Sequence, residues 1–271
     1  MQTTDEPATL HAAMLERRAR GQRIGFVPTM GFLHEGHLSL MRLARERCDH
    51  LVVSIFVNPL QFGPNEDLER YPRDPKGDAT KCRSEGVDTL FVPTSLYAEG
   101  HSTTVRVSGL TEGLCGATRP GHFDGVTTVV ARLFGLVQPN VAIFGEKDFQ
   151  QLAVIRRMVR DLAMPVEVVG GPLVRDADGL ALSSRNKYLG PGARQRALSL
   201  RQALLTMKHH PSRSVYDRLD AGRAALDVDQ LDYLQIVHPE SLESLSEITG
   251  PCRAMVAAWI GQTRLIDNME I

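Results

Sequence analysis

The sequence lacks an excess of charge of either sign. Its 271 residues include 31 lysines and arginines and 32 aspartates and glutamates, so the formal net charge is -1. A protein that binds nucleic acid in general carries a basic excess, because contacts to phosphates dominate its affinity. The even balance therefore argues against general nucleic-acid binding, although a small local basic patch could still exist.

Long apolar runs are missing as well. The most apolar stretch, 51–57, is far too short to span a bilayer. Near the start of the chain, Asp5 and Glu6 stand where a secretory signal would be basic, and no apolar segment follows them. We therefore expect a soluble, cytoplasmic protein that makes no membrane contact.

Cysteine pairs at short spacing are also absent. The four cysteines are widely scattered and form no CxxC pair, which supports neither a zinc ribbon nor a redox motif. We expect them to be reduced and to serve mostly as packing residues. They are Cys48, Cys82, Cys115 and Cys252.

Strand-like and helix-like segments alternate through the first two thirds of the chain. Short apolar runs predict strands at 23–28, 51–57, 87–92, 141–144 and 166–169. Helical periodicity or start signals predict helices at 38–48, 75–86, 126–137 and 149–162. This alternation predicts an α/β fold with a Rossmann-like, doubly wound parallel sheet built from βαβ units.

The pattern changes in the last third of the chain. Helices are predicted at 193–208 and 215–226, and short strands at 231–237, 252–259 and 263–266. These elements predict a second, smaller α+β domain. A turn at 176–179 (DADG) marks the junction, so we expect domains at 1–174 and 175–271.

The segment 28–37, PTMGFLHEGH, follows a predicted strand and opens a helix. That position offers backbone N–H groups and the positive end of a helix dipole, which favour phosphate. His34 and His37 lie three residues apart, so both can face one pocket and donate hydrogen bonds to phosphate oxygens. A bare HxGH would suggest two surface histidines, but the strand–Gly–helix context favours phosphate binding. A zinc site fits less well, because no third ligand is apparent.

Other polar segments follow predicted strands or a turn. Gln61 lies in NPLQFG, Lys147 and Asp148 lie in GEKDFQQ, and LSSRN occupies 182–186. Ligands of open α/β sheets bind beyond the carboxyl ends of the strands. Lysine, hydroxyl and guanidinium groups suit a polyphosphate. From the residues alone, however, simpler interpretations fit at least as well. Gln61 could be an ordinary loop residue, GEKDFQQ a charged helix start and LSSRN a polar linker.

Two loops have interpretations of their own. The segment 119–125, RPGHFDG, could bind an anion, but a turn leading into a helix is the simpler interpretation. The segment 58–76 is polar and rich in proline and glycine, and we expect it to close over the site as a lid. Within it, Asp74 and Pro75 predict an N-cap and a first helical residue.

Taken in order, five segments resemble the pantothenate synthetase family of the HxGH nucleotidyltransferase superfamily: VPTMGFLHEGH, SIFVNPLQFGPNEDLERYPR, RPGHFDGV, FGEKDFQQ and LALSSRN. The ending AAWIGQTRLIDN is similar to that family's ending. The resemblance implies ATP-dependent condensation of (R)-pantoate with β-alanine through a pantoyl adenylate, giving pantothenate, AMP and pyrophosphate. It also implies Mg²⁺ accompanying ATP, and a homodimer formed through the larger domain.

The resemblance also assigns roles to residues. It implies catalytic roles for His34, His37, Lys147 and Arg185, with His37 as the proton donor. Gln61 and Gln151 would hold pantoate, with Gln61 near the β-alanine site, and no protein metal ligand is assigned. The implied ATP-binding residues are Met30, Gly31, Phe32, Leu33, His34, Glu35, Gly36, His37, Gly145, Glu146, Lys147, Asp148, Val174 (through its backbone to adenine), Leu182, Ser183, Ser184 and Arg185.

Two other functions compete with this one. The first is another adenylyltransferase on the same fold, which makes a dinucleotide-type product and has no amine acceptor. The second is a non-enzymatic regulator that binds a nucleotide without turnover. Such a regulator would not need Gln61 and Gln151 to face one pocket, and it is disfavoured because all five segments are intact.

Overall fold

The computed structural model describes residues 1–64 and 66–271. The strands are β1 Gln2–Thr4, β2 Ile24–Thr29, β3 His50–Ile55, β4 Thr89–Phe91, β5 Val141–Gly145, β6 Glu167–Gly171, β7 Gln230–Val237, β8 Arg253–Ile260 and β9 Thr263–Glu270. The helices are α1 Pro7–Ala19, α2 Glu35–Arg45, α3 Pro75–Ser84, α4 Cys115–Thr118, α5 His122–Val137, α6 Phe149–Asp161, α7 Pro191–His209 and α8 Val215–Ala224. Within this part of the chain, no helix is both long and apolar enough to span a bilayer.

Six parallel strands form the larger sheet in the order β1-β4-β3-β2-β5-β6. From β2 the chain adds β3 and then β4 on one side, and it later adds β5 and then β6 on the other. The direction of strand addition therefore reverses between β2 and β5. Such a reversal opens a crevice at the carboxyl ends of the two strands, where open α/β sheets bind their ligands.

Helices cover both faces of this sheet, as the continuous apolar strands require. Successive residues of a strand point to opposite faces. Phe26 and Val52 accordingly pack with α1, α5 and α6, whereas Val27 and Val53 pack with α2 and α3. The sheet is thus buried on both sides, which holds the loops at its carboxyl edge in fixed positions.

The smaller sheet is antiparallel, with the strand order β7-β8-β9. One face packs against α7 and α8 through residues such as Ile236 and Val256. The other face presents Tyr233, Met255 and Ala257 to the apolar core of the larger domain. The C-terminal sheet is therefore the surface by which the smaller domain contacts the larger one.

The fold class predicted from the sequence is confirmed, and the predicted strands and helices are present with ends shifted by up to four residues. Two elements at the start of the chain, β1 and α1, were not predicted. The predicted N-cap is also confirmed, because the Asp74 carboxylate accepts a hydrogen bond from the Gly77 N–H at 3.0 Å. The cysteines are unpaired; Cys48 is half-buried and the other three are buried.

Candidate functional site

A cavity of about 220 Å³ lies at the carboxyl ends of β2 and β5, beneath the junction with the C-terminal domain. It brings together twelve of the residues that the family resemblance assigns to ATP and both glutamines that the resemblance assigns to pantoate. These lining residues are Met30, His34, Gly36, His37, Gly145, Lys147, Asp148, Val174, Leu182, Ser183, Ser184, Arg185, Gln61 and Gln151.

The other five predicted ATP-binding residues lie outside the lining that the described residues form. The backbone N–H groups of Phe32 and Leu33 donate to the buried carboxylate of Asp78 at 2.8 and 2.7 Å. These two N–H groups therefore stabilise the loop instead of facing a phosphate, and Gly31 packs against the same carboxylate. Glu35 pairs with Arg42 on the outer surface of α2.

Glu146, the last of the five, points toward the C-terminal sheet. Its carboxylate lies 3.6 Å from the Arg253 guanidinium, on the side away from the cavity. The next two residues, Lys147 and Asp148, do line the cavity, with the Lys147 Nζ 3.8 Å from the Asp148 carboxylate. This short turn between β5 and α6 thus directs Glu146 to the C-terminal sheet and the next two side chains to the cavity.

His34 and His37 lie together at the start of α2. Their ring centroids are 4.1 Å apart, and the His37 Nδ1 accepts a hydrogen bond from the His34 backbone N–H at 3.3 Å. Since Nδ1 is the acceptor, the ring proton of neutral His37 resides on Nε2. The His34 Nδ1 is buried without a hydrogen-bond partner among the described residues. The Nε2–H of His37 is therefore left to donate to a ligand in the cavity that both rings line.

Both imidazoles are neutral at physiological pH. Burial, followed by the nearby Lys147 charge, lowers the pKa of His34 from 6.5 to about 4. Burial and then His34 lower the pKa of His37 well below its usual value. At this site the histidines consequently donate hydrogen bonds as neutral N–H groups, and the fixed positive charge comes from Lys147.

Gly36 leaves space for the imidazole ring of His34. A Cβ atom on Gly36 would lie 3.0 Å from both Cε1 and Nδ1 of His34 and 3.8 Å from the Leu182 Cβ. Any larger residue would push the imidazole away from the cavity or displace the 182–185 segment. The glycine of the HxGH sequence is thus required by the close packing of the first histidine.

Asn58 holds Gln61, the cavity-lining glutamine that follows β3. Its Nδ2 donates to the Gln61 Oε1 at 3.1 Å and to the Gly125 carbonyl at 3.0 Å, and its Oδ1 accepts from the Tyr97 hydroxyl at 2.8 Å. With Oε1 engaged, the Gln61 Nε2 is oriented toward the Met30 sulfur, 3.1 Å away. Asn58 therefore fixes which end of the Gln61 amide faces the cavity, a role that the sequence analysis did not identify.

Arg119 and His122 also line the cavity, although their segment was interpreted as a turn leading into a helix. That helix is present as α5, and the same residues contact Gln61. The His122 Nδ1 donates to the Gln61 carbonyl at 2.8 Å, and its Nε2 accepts from the Arg119 Nη1 at 2.9 Å. Burial, followed by the Arg119 charge, lowers the pKa of His122 to about 4, which agrees with a neutral ring.

The glycine that ends this segment permits a close approach of two backbones. A Cβ atom on Gly125 would lie 2.2 Å from the Leu60 carbonyl oxygen and 2.6 Å from the Gln61 nitrogen. Backbone atoms cannot move aside as a flexible side chain can. The start of α5 and the turn at Pro59–Gln61 can therefore pack together only with glycine at this position.

The 182–186 segment enters the cavity from the domain junction. The Ser183 hydroxyl accepts from the Arg185 N–H at 3.3 Å, and the Ser184 hydroxyl donates to the Phe32 carbonyl at 3.3 Å. The Arg185 guanidinium forms two hydrogen bonds with Asp67 and lies 5.7 Å from the centre of the Tyr71 ring. The segment predicted to act as a lid, 58–76, thus contacts the predicted phosphate-binding residues; residue 65 of that segment lies outside the described residues.

Across residues 1–64 and 66–271, no cluster of three His, Cys, Asp or Glu side chains has an arrangement that could hold a metal ion. The half-exposed carboxylate of Asp148 lies on the cavity wall beside Lys147.

Comparison with known proteins gives a consistent result along the whole chain. The family model described as pantoate-beta-alanine ligase matches residues 2–270. The pantothenate synthetase of Syntrophotalea carbinolica is 53% identical over 281 residues, covering 100% of this chain and 99% of the relative. The pantothenate synthetase of Thermus thermophilus is 53% identical over 279 residues, with the same coverage.

Solved structures agree with these sequence matches. A crystal structure of pantothenate synthetase from Thermus thermophilus superposes with a TM-score of 0.94 at 52% identity, covering 99% of both chains. The pantoate-beta-alanine ligase of Francisella tularensis, solved in complex with beta-gamma ATP and beta-alanine, has a TM-score of 0.81 at 33% identity. That match covers 99% of this chain and 97% of the other.

Proposed function

The chain belongs to the pantoate-beta-alanine ligase family, and we propose on this basis that it joins (R)-pantoate to β-alanine at the expense of ATP. The products are pantothenate, AMP and pyrophosphate, and the intermediate is pantoyl adenylate. A relative of known structure has been solved with beta-gamma ATP and beta-alanine, which supports ATP as a substrate. The partners of the protein are thus small molecules.

One observation carries this proposal. His34 and His37 from the loop after β2, Lys147 from the loop after β5, and Gln61 and Gln151 all line a single cavity. An acid held by two glutamine amides would lie beside groups that stabilise a triphosphate. That juxtaposition is what the transfer of AMP to a carboxylate requires.

In the first step, the pantoate carboxylate attacks the α-phosphorus of ATP, and pyrophosphate leaves. Negative charge builds up on the phosphate oxygens as the reaction proceeds. The neutral Nε2–H of His37 and the Lys147 ammonium are placed on the cavity wall to stabilise it. Ser183, Ser184 and Arg185, whose segment packs beside the His34 loop, supply further polar groups to the same cavity.

In the second step, the amine of β-alanine attacks the acyl carbon of pantoyl adenylate, and AMP leaves. A free carboxylate would have to expel oxide, whereas the mixed anhydride expels AMP. The nitrogen loses its proton as the amide forms. Exclusion of water protects the anhydride from hydrolysis. The segment 58–76 reaches across to Arg185 through Asp67 and is suited to this role.

Magnesium enters as the partner of ATP. Mg²⁺ prefers phosphate and water oxygens and takes only one or two carboxylates from the protein. Asp148 is a carboxylate on the cavity wall that meets this requirement. When bound with ATP, the ion would neutralise charge on the phosphates, and Asp148 would help to hold it.

Further properties belong to the same proposal. We place the domain boundary at 174/175, with a nucleotide- and pantoate-binding domain before it. Leu180, shortly after this boundary, packs in the C-terminal core with Leu200 and Leu204, which supports the placement. We also propose a cytoplasmic homodimer that does not bind nucleic acid, in keeping with the net charge of -1.

The test is an assay of AMP formation with ATP, pantoate and β-alanine, in which each substrate is omitted in turn. Pantoate-dependent exchange between ATP and pyrophosphate without β-alanine, followed by AMP release when β-alanine is added, supports both steps. An adenylyltransferase of the dinucleotide-forming type would show no response to β-alanine. A nucleotide-binding regulator would bind ATP and give no exchange. Either of these results would overturn the proposed function.

A further inference from the structure

The strand β9 contacts both of the segments that carry the cationic groups of the cavity. Two consecutive residues near its end, Asp267 and Asn268, are buried and are both about 4% exposed. They lie in the RLIDN ending of the chain, to which the proposed mechanism assigns no role. Asn268 contacts the turn that carries Lys147, and Asp267 contacts the hairpin that leads to Ser183.

Asn268 holds the turn between β5 and α6 by its backbone. Its Nδ2 donates to the carbonyl oxygens of Glu146 and Lys147, both at 2.9 Å. Its Oδ1 accepts from the Arg253 Nη1 at 2.7 Å. The amide can adopt only this orientation, because a flip would place an oxygen against two carbonyls and a nitrogen against a guanidinium.

Arg253 completes the contacts on this turn from the neighbouring strand β8. Its guanidinium lies 3.9 Å from the centre of the Phe149 ring and 3.6 Å from the Glu146 carboxylate. The residues on either side of the Lys147–Asp148 pair are therefore both packed against the C-terminal sheet. Only the Lys147 and Asp148 side chains remain directed to the cavity.

Asp267 holds the second segment through its side chain. Its two carboxylate oxygens accept from Nη1 and Nη2 of Arg175 at 2.7 and 2.9 Å. Arg175 also donates to the Gly179 carbonyl and pairs with Ala181 in an antiparallel bridge. This hairpin ends one residue before Leu182, so a shift of Arg175 would move the 182–185 segment.

We propose that Asp267 and Asn268 are positioning residues, which set the spacing across the cavity between Lys147 and the Ser183–Arg185 segment. The inference rests on the proposed function, since that spacing matters for a triphosphate held between the two segments. Charge stabilisation in a transition state depends on donors being in place before the reaction. A displacement of about 1 Å can lower a rate by about two orders of magnitude.

Asn268 takes no part in the contacts that hold Gln61, although Gln151, the other glutamine proposed to hold pantoate, follows the Lys147 turn on α6. Asn268 contacts the Lys147 turn, whereas Gln61 is held by Asn58 and by the start of α5. Loss of the Asn268 amide should therefore lower kcat by a larger factor than it raises the KM for pantoate, because the contacts that hold Gln61 stay in place. If Asn268→Ala only unfolded part of the protein, the active fraction of the enzyme would fall by the same factor whether or not Lys147 was present.

A double-mutant cycle on the full-length protein tests this relation. In pantoate-dependent ATP–pyrophosphate exchange, Asn268→Ala should lower kcat by about 10- to 100-fold, the usual cost of losing a residue that orients a catalytic group. In a Lys147→Ala background, the same change should cost less than about twofold, because its effect acts through Lys147. Losses that multiply in the double variant, or a wild-type kcat for Asn268→Ala, would overturn the proposal.

Two further variants guard against simple misfolding. Leu234→Ala opens the apolar core of the C-terminal domain at a residue that does not line the cavity, and it should lower the unfolding temperature while preserving kcat per folded molecule. If Asn268→Ala does not fold, Arg175→Lys provides a second test. This change weakens the bidentate pair with Asp267 and should lower kcat in the same assay. An unchanged kcat for Arg175→Lys would count against the proposal. If the wild type itself gave no pantoate-dependent exchange, the proposed function would fail instead.

Discussion

The guanidinium of Arg185 forms a bidentate ion pair with Asp67, with Nε–Oδ2 and Nη2–Oδ1 distances of 2.9 and 2.7 Å. Burial opposes ionisation of Asp67, but the hydrogen bonds and charge of Arg185 outweigh it and lower the pKa of the carboxyl group. The carboxylate thus neutralises a cation that the proposed function assigns to the phosphates of ATP. A triphosphate that reaches Arg185 must compete with this carboxylate.

Asp67→Asn should consequently strengthen ATP binding. Removal of the competing charge frees Arg185. Because the ion pair is partly exposed, its loss should lower the Kd for ATP by about two- to fivefold. Isothermal titration calorimetry without pantoate measures the change. Glu66→Gln is the matched control, because Glu66 lies in the same segment but pairs with Arg119, and its Kd should stay near the wild-type value. Equal ATP affinities for Asp67→Asn and the wild type would contradict the competition.

His37→Ala should lower the rate of adenylate formation by about two to four powers of ten, as expected for losing a transition-state hydrogen-bond donor. The lowered pKa indicates that the neutral ring donates. His37→Gln, which keeps an N–H donor, should therefore lose less activity than His37→Ala. Pyrophosphate exchange gives the rates, and the exposed His209 serves as a control when it is changed to alanine. Wild-type exchange in His37→Ala would contradict the role.

Gly125→Ala should disrupt the pantoate site. The added Cβ would overlap the Leu60 carbonyl and the Gln61 nitrogen, so the turn that carries Gln61 must move. We expect the KM for pantoate to rise by at least about tenfold, in line with the loss of a well-oriented substrate contact. The assay is the dependence of AMP formation on pantoate concentration.

The same helix offers a matched control in Gly135→Ala. Apart from its chain neighbours and the backbone of its own helix, no heavy atom of residues 1–64 and 66–271 lies within 4 Å of the position that a Cβ on Gly135 would occupy. Alanine is preferred to glycine inside a helix by about 0.5–1 kcal/mol, so this variant should be slightly stabilised and fully active. If both glycine variants had the same KM for pantoate, the close approach at Gly125 would not control the site.

The fold was predictable where burial imposes a period on the sequence. β3 and β5 are covered on both faces and carry continuous apolar residues, so their positions were evident. β1 has only three residues at the edge of the sheet, too few to show a pattern. α1 buries only Leu10 and Met14, although Pro7 at its first position could have marked its start. The strand order depends on long-range pairing, which no local pattern records.

The candidate site was predictable only where a short segment resembles the family. Gln61 and Gln151 were identified in this way, whereas Asn58 was not, because its role follows from contact with Gly125, 67 residues away. The backbone N–H groups of the 28–37 loop show the opposite case. Their position suggested phosphate binding, but Asp78 on α3 takes two of them. Both the role of Asn58 and the use of these N–H groups thus depend on contact partners that are distant in sequence.

Acid should destabilise the protein through its buried histidines. Burial is the first cause that lowers the pKa values of His34 and His122 to about 4, and the same effect acts on His37. In the unfolded chain these rings take up protons near pH 6.5, so the unfolded state binds more protons between the two values. The stability that they contribute is present above about pH 6.5 and is lost as the pH falls toward about 4.

Urea unfolding at several pH values between about 7 and 4 measures this dependence. The free energy of unfolding should fall with decreasing pH in the wild type, and it should fall less steeply in His122→Gln, which has no group to protonate at that position. Glutamine can still donate to the Gln61 carbonyl, so the variant should fold. The exposed His209→Gln provides the comparison, because it removes a histidine that lies outside the buried group. If His122→Gln and His209→Gln had the same slope as the wild type, the lowered pKa of His122 would not contribute to the acid sensitivity.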